Sequence, residues 1–132
     1  MARVIAVDTN VLLRVLLDDA GAQSQSAAAR GLVQRADAVH ISVVVFVETL
    51  WTLQRSYGYP KALVAKAADG ILTHPKYRVE SAGQLRRALE RYSTGNIDFA
   101  DAVALEHALE CEAPLHTFDK KLAKLKGAQL LG

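Results

Sequence analysis

The sequence predicts an α/β fold in which a short, mostly parallel sheet is covered by helices on both faces. Runs of three or four β-branched or apolar residues recur along the chain, and each is followed by a segment with apolar residues at helical spacing. Strands that alternate with helices pair in parallel, because right-handed crossover connections place the helices on the sheet faces. Ligands of such sheets bind at the carboxyl ends of the strands.

The first strand covers Val4 to Val7 and stops at Asp8. Helical spacing of apolar residues follows at once, which predicts a strand, a tight turn and a helix. A small, polar stretch from Asp18 to Ser26 is typical of a loop, and a second helix is predicted over Ala27 to Arg35. The apolar residues that define the first helix are Val11, Leu12, Val15 and Leu16.

A second strand is predicted over Val39 to Ile41, with Ser42 as the N-cap of the helix that follows it. That helix is largely apolar and runs from Val43 to Tyr57. The glycine of the "YGYP" turn suits its end, and Pro60 suits the start of a further helix that runs to about Leu72.

Tyr77 to Val79 is the third predicted strand. Ser81 and Gln84 have the spacing of a capping box, which predicts the start of a helix there. One face of this helix is apolar, and the polar "STGN" ends it. The residues of that face are Leu85, Ala88, Leu89 and Tyr92.

The remainder predicts a helix over Asp98 to Leu109, a fourth strand over Pro114 to Thr117, a last helix over Lys120 to Leu125 and an edge strand over Ala128 to Leu131. The chain has no internal repeat, low-complexity tract or linker. We therefore expect residues 1–132 to form a single domain.

The composition is that of a globular protein, with 51% hydrophobic and 23% charged residues. A net charge of +2 is too small to indicate nucleic-acid binding by itself, and no apolar run approaches the ~20 residues of a membrane span. The single cysteine, Cys111, cannot form an internal disulfide, so we expect a reducing cytoplasm and a buried thiol.

Acidic residues lie at the predicted ends of two strands and on two of the predicted helices. Asp8 ends the first strand and Asp119 follows the fourth, so both point to the same edge of a parallel sheet. Glu48 lies in the apolar "VVVFVETLW", where a buried carboxylate needs a counter-charge. Asp98 and Asp101 are one helical turn apart and share a helix face.

Carboxylates brought within about 5 Å repel each other by roughly 3 kcal/mol per pair at an effective dielectric near 20. A divalent cation relieves that repulsion, and oxygen ligands suit Mg²⁺ or Mn²⁺. Such a site activates water and stabilises phosphoryl displacement. The four acids thus indicate a metal centre, composed of Asp8, Glu48, Asp101 and Asp119.

Local structure offers another explanation for each of these residues. Asp98 is equally suited to a helix N-cap, Asp101 gains from the helix dipole, and Asp119 suits the cap of the final helix. Thr9 and Asn10 are common in turns where strands end, and Asn10 also suits a helix cap. Spacing alone leaves these alternatives open.

Basic and aromatic residues supply candidates for nucleic-acid contacts. Lysines beside Asp119 are placed to hold a phosphate backbone, although a solvated helix face explains them as well. Aromatic residues offer stacking surfaces for unpaired bases, but core packing is the expected role of Trp51. These candidates are Lys120, Lys121, Lys124 and Lys126, the arginines Arg86, Arg87 and Arg91, and the aromatics Trp51, Tyr57 and Tyr59.

Four segments together resemble, in order and spacing, the motifs of PIN-domain ribonucleases, and most of all the VapC-like toxins of type II toxin-antitoxin pairs. The segments are "VDTNVLLRVLLDD", "ISVVVFVETLW", "GNIDFADAVAL" and "LHTFDKKLAKLKG". The resemblance covers essentially the whole chain. The segment "ECEAP" lacks the glycine that relatives often carry before the fourth strand, a departure confined to local loop geometry.

The resemblance implies a three-layer α/β/α sandwich, a homodimer, Mg²⁺- or Mn²⁺-dependent cleavage of RNA, and neutralisation by a small antitoxin. It assigns Asp8, Glu48, Asp101 and Asp119 to one metal-binding pocket, and Asp98 matches an acid found in some members. The positions of Thr9, Asn10 and Thr117 match residues that orient these carboxylates.

Two other functions are compatible with an α/β chain of this kind. A phospho-acceptor signalling domain also binds Mg²⁺ at strand ends, but it needs paired acids after the first strand, where this chain has "DTN". A non-catalytic PIN-like module would bind RNA or a partner helix through its apolar surface. RNA binding without cleavage in Mn²⁺ would distinguish that module from a nuclease.

Overall fold

Strands and helices alternate along residues 2–132, the part of the chain that the structure, a computed structural model, describes. These residues form six α-helices, two 3₁₀ turns and five short strands. The chain divides into two compact units, one ending at Glu80 and the other comprising Ser81–Gly132. The predicted α/β class is confirmed.

The first unit contains three strands and four helices. The strands are β1 (Val4–Ala6), β2 (Ala38–Ile41) and β3 (Tyr77–Val79). The helices are α1 (Thr9–Leu16), α2 (Gln23–Arg35), α3 (Val43–Arg55) and α4 (Lys61–Thr73).

A parallel sheet in the order β1-β2-β3 forms the centre of this unit. Val39 of β2 pairs with Ile5 on one side and Tyr77 on the other, and its side chain is fully buried. The apolar faces of the helices complete the core. Their fully or almost fully buried residues are Leu12, Phe46, Leu50, Leu53, Val64 and Ile71.

The second unit contains α5 (Ala82–Thr94), α6 (Phe99–Glu110), β4 (Leu115–Thr117) and β5 (Ala128–Leu130). β4 and β5 pair in parallel, with His116 opposite Gln129. Gly127 lies before β5 at a φ of 99°, where a Cβ would stand 2.7 Å from Leu109 Cδ2. Glycine therefore allows both the backbone conformation and the close approach of this turn to α6.

Helices α5 and α6 pack through the apolar face predicted for α5, and Tyr92 meets Phe99 edge to face with ring centroids 5.9 Å apart. An ion-pair network borders this contact. Glu106, buried to 8% side-chain exposure, accepts from Arg87 Nε at 3.3 Å and from Arg91 Nε at 2.7 Å. These two arginines, predicted as part of a basic surface group, thus hold α5 against α6.

Two helices differ most from the prediction. α2 begins at Gln23 rather than Ala27, because the buried Ser26 lies on the inner face of its first turn. The predicted last helix is only a 3₁₀ turn, Leu122–Lys124. Leu122 is its one buried side chain, which provides too little apolar contact to support further turns.

The two serines predicted as N-caps had different outcomes. Ser42 caps α3 as expected, and its Oγ accepts from Val45 N at 3.1 Å. The capping box at Ser81 was wrong: Ser81 adopts a left-handed conformation with φ 55° and its side chain makes no capping hydrogen bond. Gln84 turns to α6 instead and donates to Glu110 Oε2 at 3.1 Å.

The prediction of a buried thiol was also wrong, since Cys111 is exposed at the C-cap of α6. Its Sγ lies 3.7 Å from His107 Nε2, one turn earlier. The helix ends at this residue, so the side chain leaves the packed face.

Across residues 2–132, every helix is too short or too polar to cross a membrane.

Candidate functional site

Asp8 joins the first strand to the first helix. Its backbone is extended, and its carboxylate caps α1 by accepting from Val11 N at 3.0 Å through Oδ1. The side chain is exposed. Because this hydrogen bond uses one oxygen and fixes the rotamer, the carboxylate is held at the carboxyl end of β1 with its second oxygen available to a ligand.

Glu48 lies in the middle of α3, and its side chain is exposed rather than buried as its apolar neighbours predicted. The buried apolar residues of α3, which are Phe46, Leu50 and Leu53, lie on the opposite, inner face of the helix, so the expected counter-charge is unnecessary. Its Oε1 accepts a 2.5 Å hydrogen bond from the hydroxyl of Thr9. Thr9 therefore links the start of α1 to the carboxylate on α3.

Asn10 lies within the first turn of α1, where Asp8 is the cap, so the capping role considered for Asn10 is wrong. Asn10 lines an open cavity of about 840 Å³ together with Asp8 and Glu48. Trp51 lines the same cavity and is 56% exposed, which contradicts its expected place in the core. Leu50 and Leu53 fill the inner face of α3, and Trp51 lies on the outer face.

Glu80 is a supporting residue that the sequence did not single out. It follows β3, and its Oε1 accepts from Val43 N at 2.9 Å. Together with Ser42 it satisfies the amino end of α3, the helix that carries Glu48. An acid at the carboxyl end of the third predicted strand was the available signal.

In the second unit, Asp98 and Asp101 lie at the start of α6. Asp98 occupies the N-cap position, yet its side chain makes no capping hydrogen bond, so a cap does not explain this carboxylate. Asp101 lies in the first turn and is partly buried. Burial raises the pKa of Asp101, and the nearby carboxylates of Asp98 and Asp119 raise it further.

Asp119 is held by hydrogen bonds on both sides. Its backbone N–H donates to Thr117 Oγ1 at 2.9 Å, and its Oδ1 accepts from the N–H groups of Lys121 at 2.8 Å and Leu122 at 3.2 Å. The role expected for Asp119 as the cap of the final helix is wrong, because only a 3₁₀ turn forms there and its N-cap position is Lys121. The bonds from Lys121 and Leu122 use one carboxylate oxygen of Asp119. Thr117 orients the backbone of Asp119, while the side chains of Lys120, Lys121 and Lys124 are exposed beside it.

The predicted acids thus form two sets. Asp8 and Glu48 belong to the first unit, and Asp98, Asp101 and Asp119 belong to the second, where Asp98 and Asp119 raise the pKa of Asp101. Within residues 2–132, no group of three or more His, Cys, Asp or Glu side chains forms a ready-made metal cluster. The donors are carboxylate oxygens held by neighbouring hydroxyl and amide groups, which is the chemistry that a hard divalent cation binds.

Comparison with known proteins gives a family match and a likeness to a solved structure. The sequence model of the PIN domain matches residues 5–128, which spans both units. The solved structure of the VapC20 toxin of Mycobacterium tuberculosis, a toxin that cleaves the sarcin-ricin loop, is 23% identical, with 92% of this chain and 93% of that chain covered and a TM-score of 0.44. No curated protein matches the chain.

The PIN domain match includes every candidate acid, from Asp8 to Asp119, and leaves only a few residues at each end. Nucleases of this family hydrolyse RNA and generally use divalent metal ions. The chain belongs to the PIN domain family.

Proposed function

We propose that this protein is a metal-dependent endoribonuclease and the toxin of a type II toxin-antitoxin pair. Family membership and the four ordered motifs support the proposal. The observation that carries the metal dependence is the crowding of carboxylates around Asp101, whose pKa is raised by burial and by Asp98 and Asp119. Bound Mg²⁺ or Mn²⁺ would offset this repulsion.

In this proposal Asp8 and Asp101 bind the principal cation, and Glu48 and Asp119 complete the site directly or through water. Thr9 holds Glu48, Thr117 orients Asp119, and Asn10 lies beside Asp8. Asp98 adds negative charge at the start of α6, the helix that carries Asp101. A divalent ion supplies the activation of water and the charge stabilisation that phosphodiester hydrolysis needs.

The exposed lysines after Asp119 would contact the phosphate backbone of the RNA. Their positive charge offsets the repulsion between the acidic site and a polyanion. The lysines are Lys120, Lys121 and Lys124.

We also propose that residues 1–132 act as one PIN domain, that two copies form a homodimer, and that the protein works in the cytoplasm.

The test of the nuclease is incubation of the purified protein, free of any antitoxin, with total RNA in Mg²⁺ or Mn²⁺. We expect fragments with 5′-phosphate and 3′-hydroxyl ends, and no cleavage by Asp8→Asn or in EDTA. Cleavage that persists in both controls, or a 2′,3′-cyclic phosphate product, contradicts the proposed chemistry. RNA binding without any cleavage in Mn²⁺ favours the non-catalytic module.

The toxin assignment has a separate test. Induced expression of the protein is expected to stop bacterial growth, and Asp8→Asn is expected to be harmless at the same protein level. Co-expression of a small protein encoded next to this one should restore growth, and that protein should co-purify with the toxin. Growth that is unaffected by an active nuclease would indicate a housekeeping enzyme instead.

A further inference from the structure

Trp51 is an exposed aromatic side chain on the helix that carries Glu48. It lies three residues after Glu48, which is one helical turn and about 4.5 Å along the axis. The flanking Leu50 and Leu53 are 2% and 0% exposed, whereas Trp51 is 56% exposed. The first unit therefore builds its core without this indole.

The cavity next to Trp51 has two chemically different parts. Asp8, Thr9 and Glu48 provide a polar region, while Trp51 and Val44 provide an apolar one. Val44 is itself 71% exposed and lies seven residues before Trp51, two helical turns away on the same face. A ligand that fills the cavity should thus combine a group suited to the acids with a flat, apolar group.

A nucleotide has this combination. Its phosphate can reach the carboxylates through a divalent cation, and its base presents a flat face to the indole. Arg55 is exposed one turn beyond Trp51 and adds a positive charge on that side. The bases of a duplex are stacked on each other, so only an unpaired base can lie on Trp51.

We propose that Trp51 stacks on an unpaired base next to the scissile phosphate, which restricts the substrate to single-stranded or loop RNA. This inference rests on the proposed ribonuclease function and assigns the base-binding side of the same cavity. Val44 forms the apolar floor beside the ring, and Arg55 contacts a phosphate one step away. Trp51 is thereby a specificity-determining residue.

The chain contains one tryptophan, so its fluorescence reports on this position alone. Wild-type protein in Mg²⁺ is mixed with a short single-stranded RNA in a stopped-flow instrument, and indole emission is recorded from the first milliseconds. We expect quenching that saturates with RNA concentration. The same RNA annealed to its complement should leave the emission unchanged.

Variants separate stacking from general hydrophobicity. Trp51→Leu is expected to weaken binding of a fluorescently labelled RNA roughly 10- to 100-fold by anisotropy, the range for loss of one stacked base. Trp51→Phe keeps an aromatic face and should lose less than about threefold. Circular dichroism melts show whether each variant is folded, and quenching in the wild-type protein tests the proposal even if Trp51→Leu does not fold.

The outcomes distinguish this inference from the nuclease proposal, because quenching does not require cleavage. Quenching by RNA that is never cut would support base stacking and refute the nuclease. Cleavage with no quenching, and with equal RNA affinity for Trp51→Leu, would overturn the role of Trp51. A red shift of free-protein emission on dilution, with a matching loss of dimer in sedimentation, would place Trp51 between two copies and also overturn it.

Discussion

Thr9, the first residue of α1, donates its hydroxyl hydrogen to Glu48 in the middle of α3. The hydrogen bond joins two residues that are 39 positions apart. It fixes the carboxylate without any positive charge, which keeps the full negative charge of Glu48 for a cation. Removing the hydroxyl while keeping the shape of the side chain isolates this contribution.

For Thr9→Val we expect RNA cleavage to fall roughly 10- to 100-fold, the usual cost of losing a partner of a metal ligand. Thr9→Ser retains the hydroxyl and should stay close to wild type. Initial rates over a series of Mn²⁺ concentrations provide the measurement, and Thr9→Val should need more metal. Equal rates for Thr9→Val and wild type would show that Glu48 does not depend on this bond.

Asp101→Asn should stabilise the metal-free protein, because it removes a carboxylate whose pKa is raised by burial, Asp98 and Asp119. A raised pKa means that the folded state holds the proton more tightly than the unfolded state, so the penalty appears as pH rises through the carboxyl range. We expect a melting temperature a few degrees above wild type in EDTA at pH 7. The difference should shrink as the pH falls through the carboxyl range and vanish below about pH 3, where Asp101 is protonated in both the folded and the unfolded wild-type protein.

Manganese should reverse the order of these two proteins. A ligand at 100 times its dissociation constant stabilises the folded state by about 2.7 kcal/mol, so the wild-type protein gains where the variant does not. Melting curves with and without Mn²⁺ give both results. A variant that is less stable than wild type in EDTA would contradict the repulsion inferred at Asp101.

Glu106→Gln tests the ion-pair network between α5 and α6. Glu106 is buried and bonds to two arginines, whereas Glu110 is exposed and pairs with Arg87 at the edge of the same contact. We expect Glu106→Gln to lower the free energy of unfolding by about 1–3 kcal/mol, because Arg87 and Arg91 lose a charged partner. The loss is limited because both arginines are partly exposed and can be hydrated by water. The matched variant Glu110→Gln should cost less than about 1 kcal/mol.

Urea unfolding of both glutamine variants gives the comparison. Equal losses for the two would mean that burial of Glu106 adds nothing to the network. If the free energy of unfolding of a variant depends on urea concentration with a different slope from that of the wild type, the substitution has changed the denatured or native ensemble.

The serines before α3 and α5 form a second matched pair. Ser42→Ala removes a capping hydrogen bond to Val45 and should destabilise the protein by about 1 kcal/mol. Ser81→Ala removes a side chain that makes no such bond and should change stability by less than about 0.5 kcal/mol. Chemical denaturation of both alanine variants measures the difference, and a larger loss for Ser81→Ala would contradict the capping geometry.

Local patterns were sufficient for the strand and helix order because each pattern depends on neighbouring residues. The alternation of apolar runs predicted the strand that contains Val39, and the serine before the apolar helix identified the Ser42 cap. The acids were also recognised from their positions at strand and helix ends. That these acids bind metal together in one site remains a prediction.

Other features depended on contacts between distant segments. Ser81 matched a capping box in sequence, but Gln84 bonds to Glu110 on α6, which no local pattern encodes. Glu48 and Trp51 looked buried because their neighbours are apolar, yet both lie on the outer face of α3. A helix in which nearly every face is apolar does not reveal which face meets the core.

The sequence by itself determined the α/β class, the order of the elements and the acids at their ends, since short-range periodicity and turn chemistry are written in adjacent residues. Only the tertiary structure decided that Thr9 holds Glu48, that Asp101 is crowded by Asp98 and Asp119, and that Trp51 is left exposed beside the acids. Those relationships arise from packing, which brings together side chains that are far apart in the chain and selects the face that each helix buries.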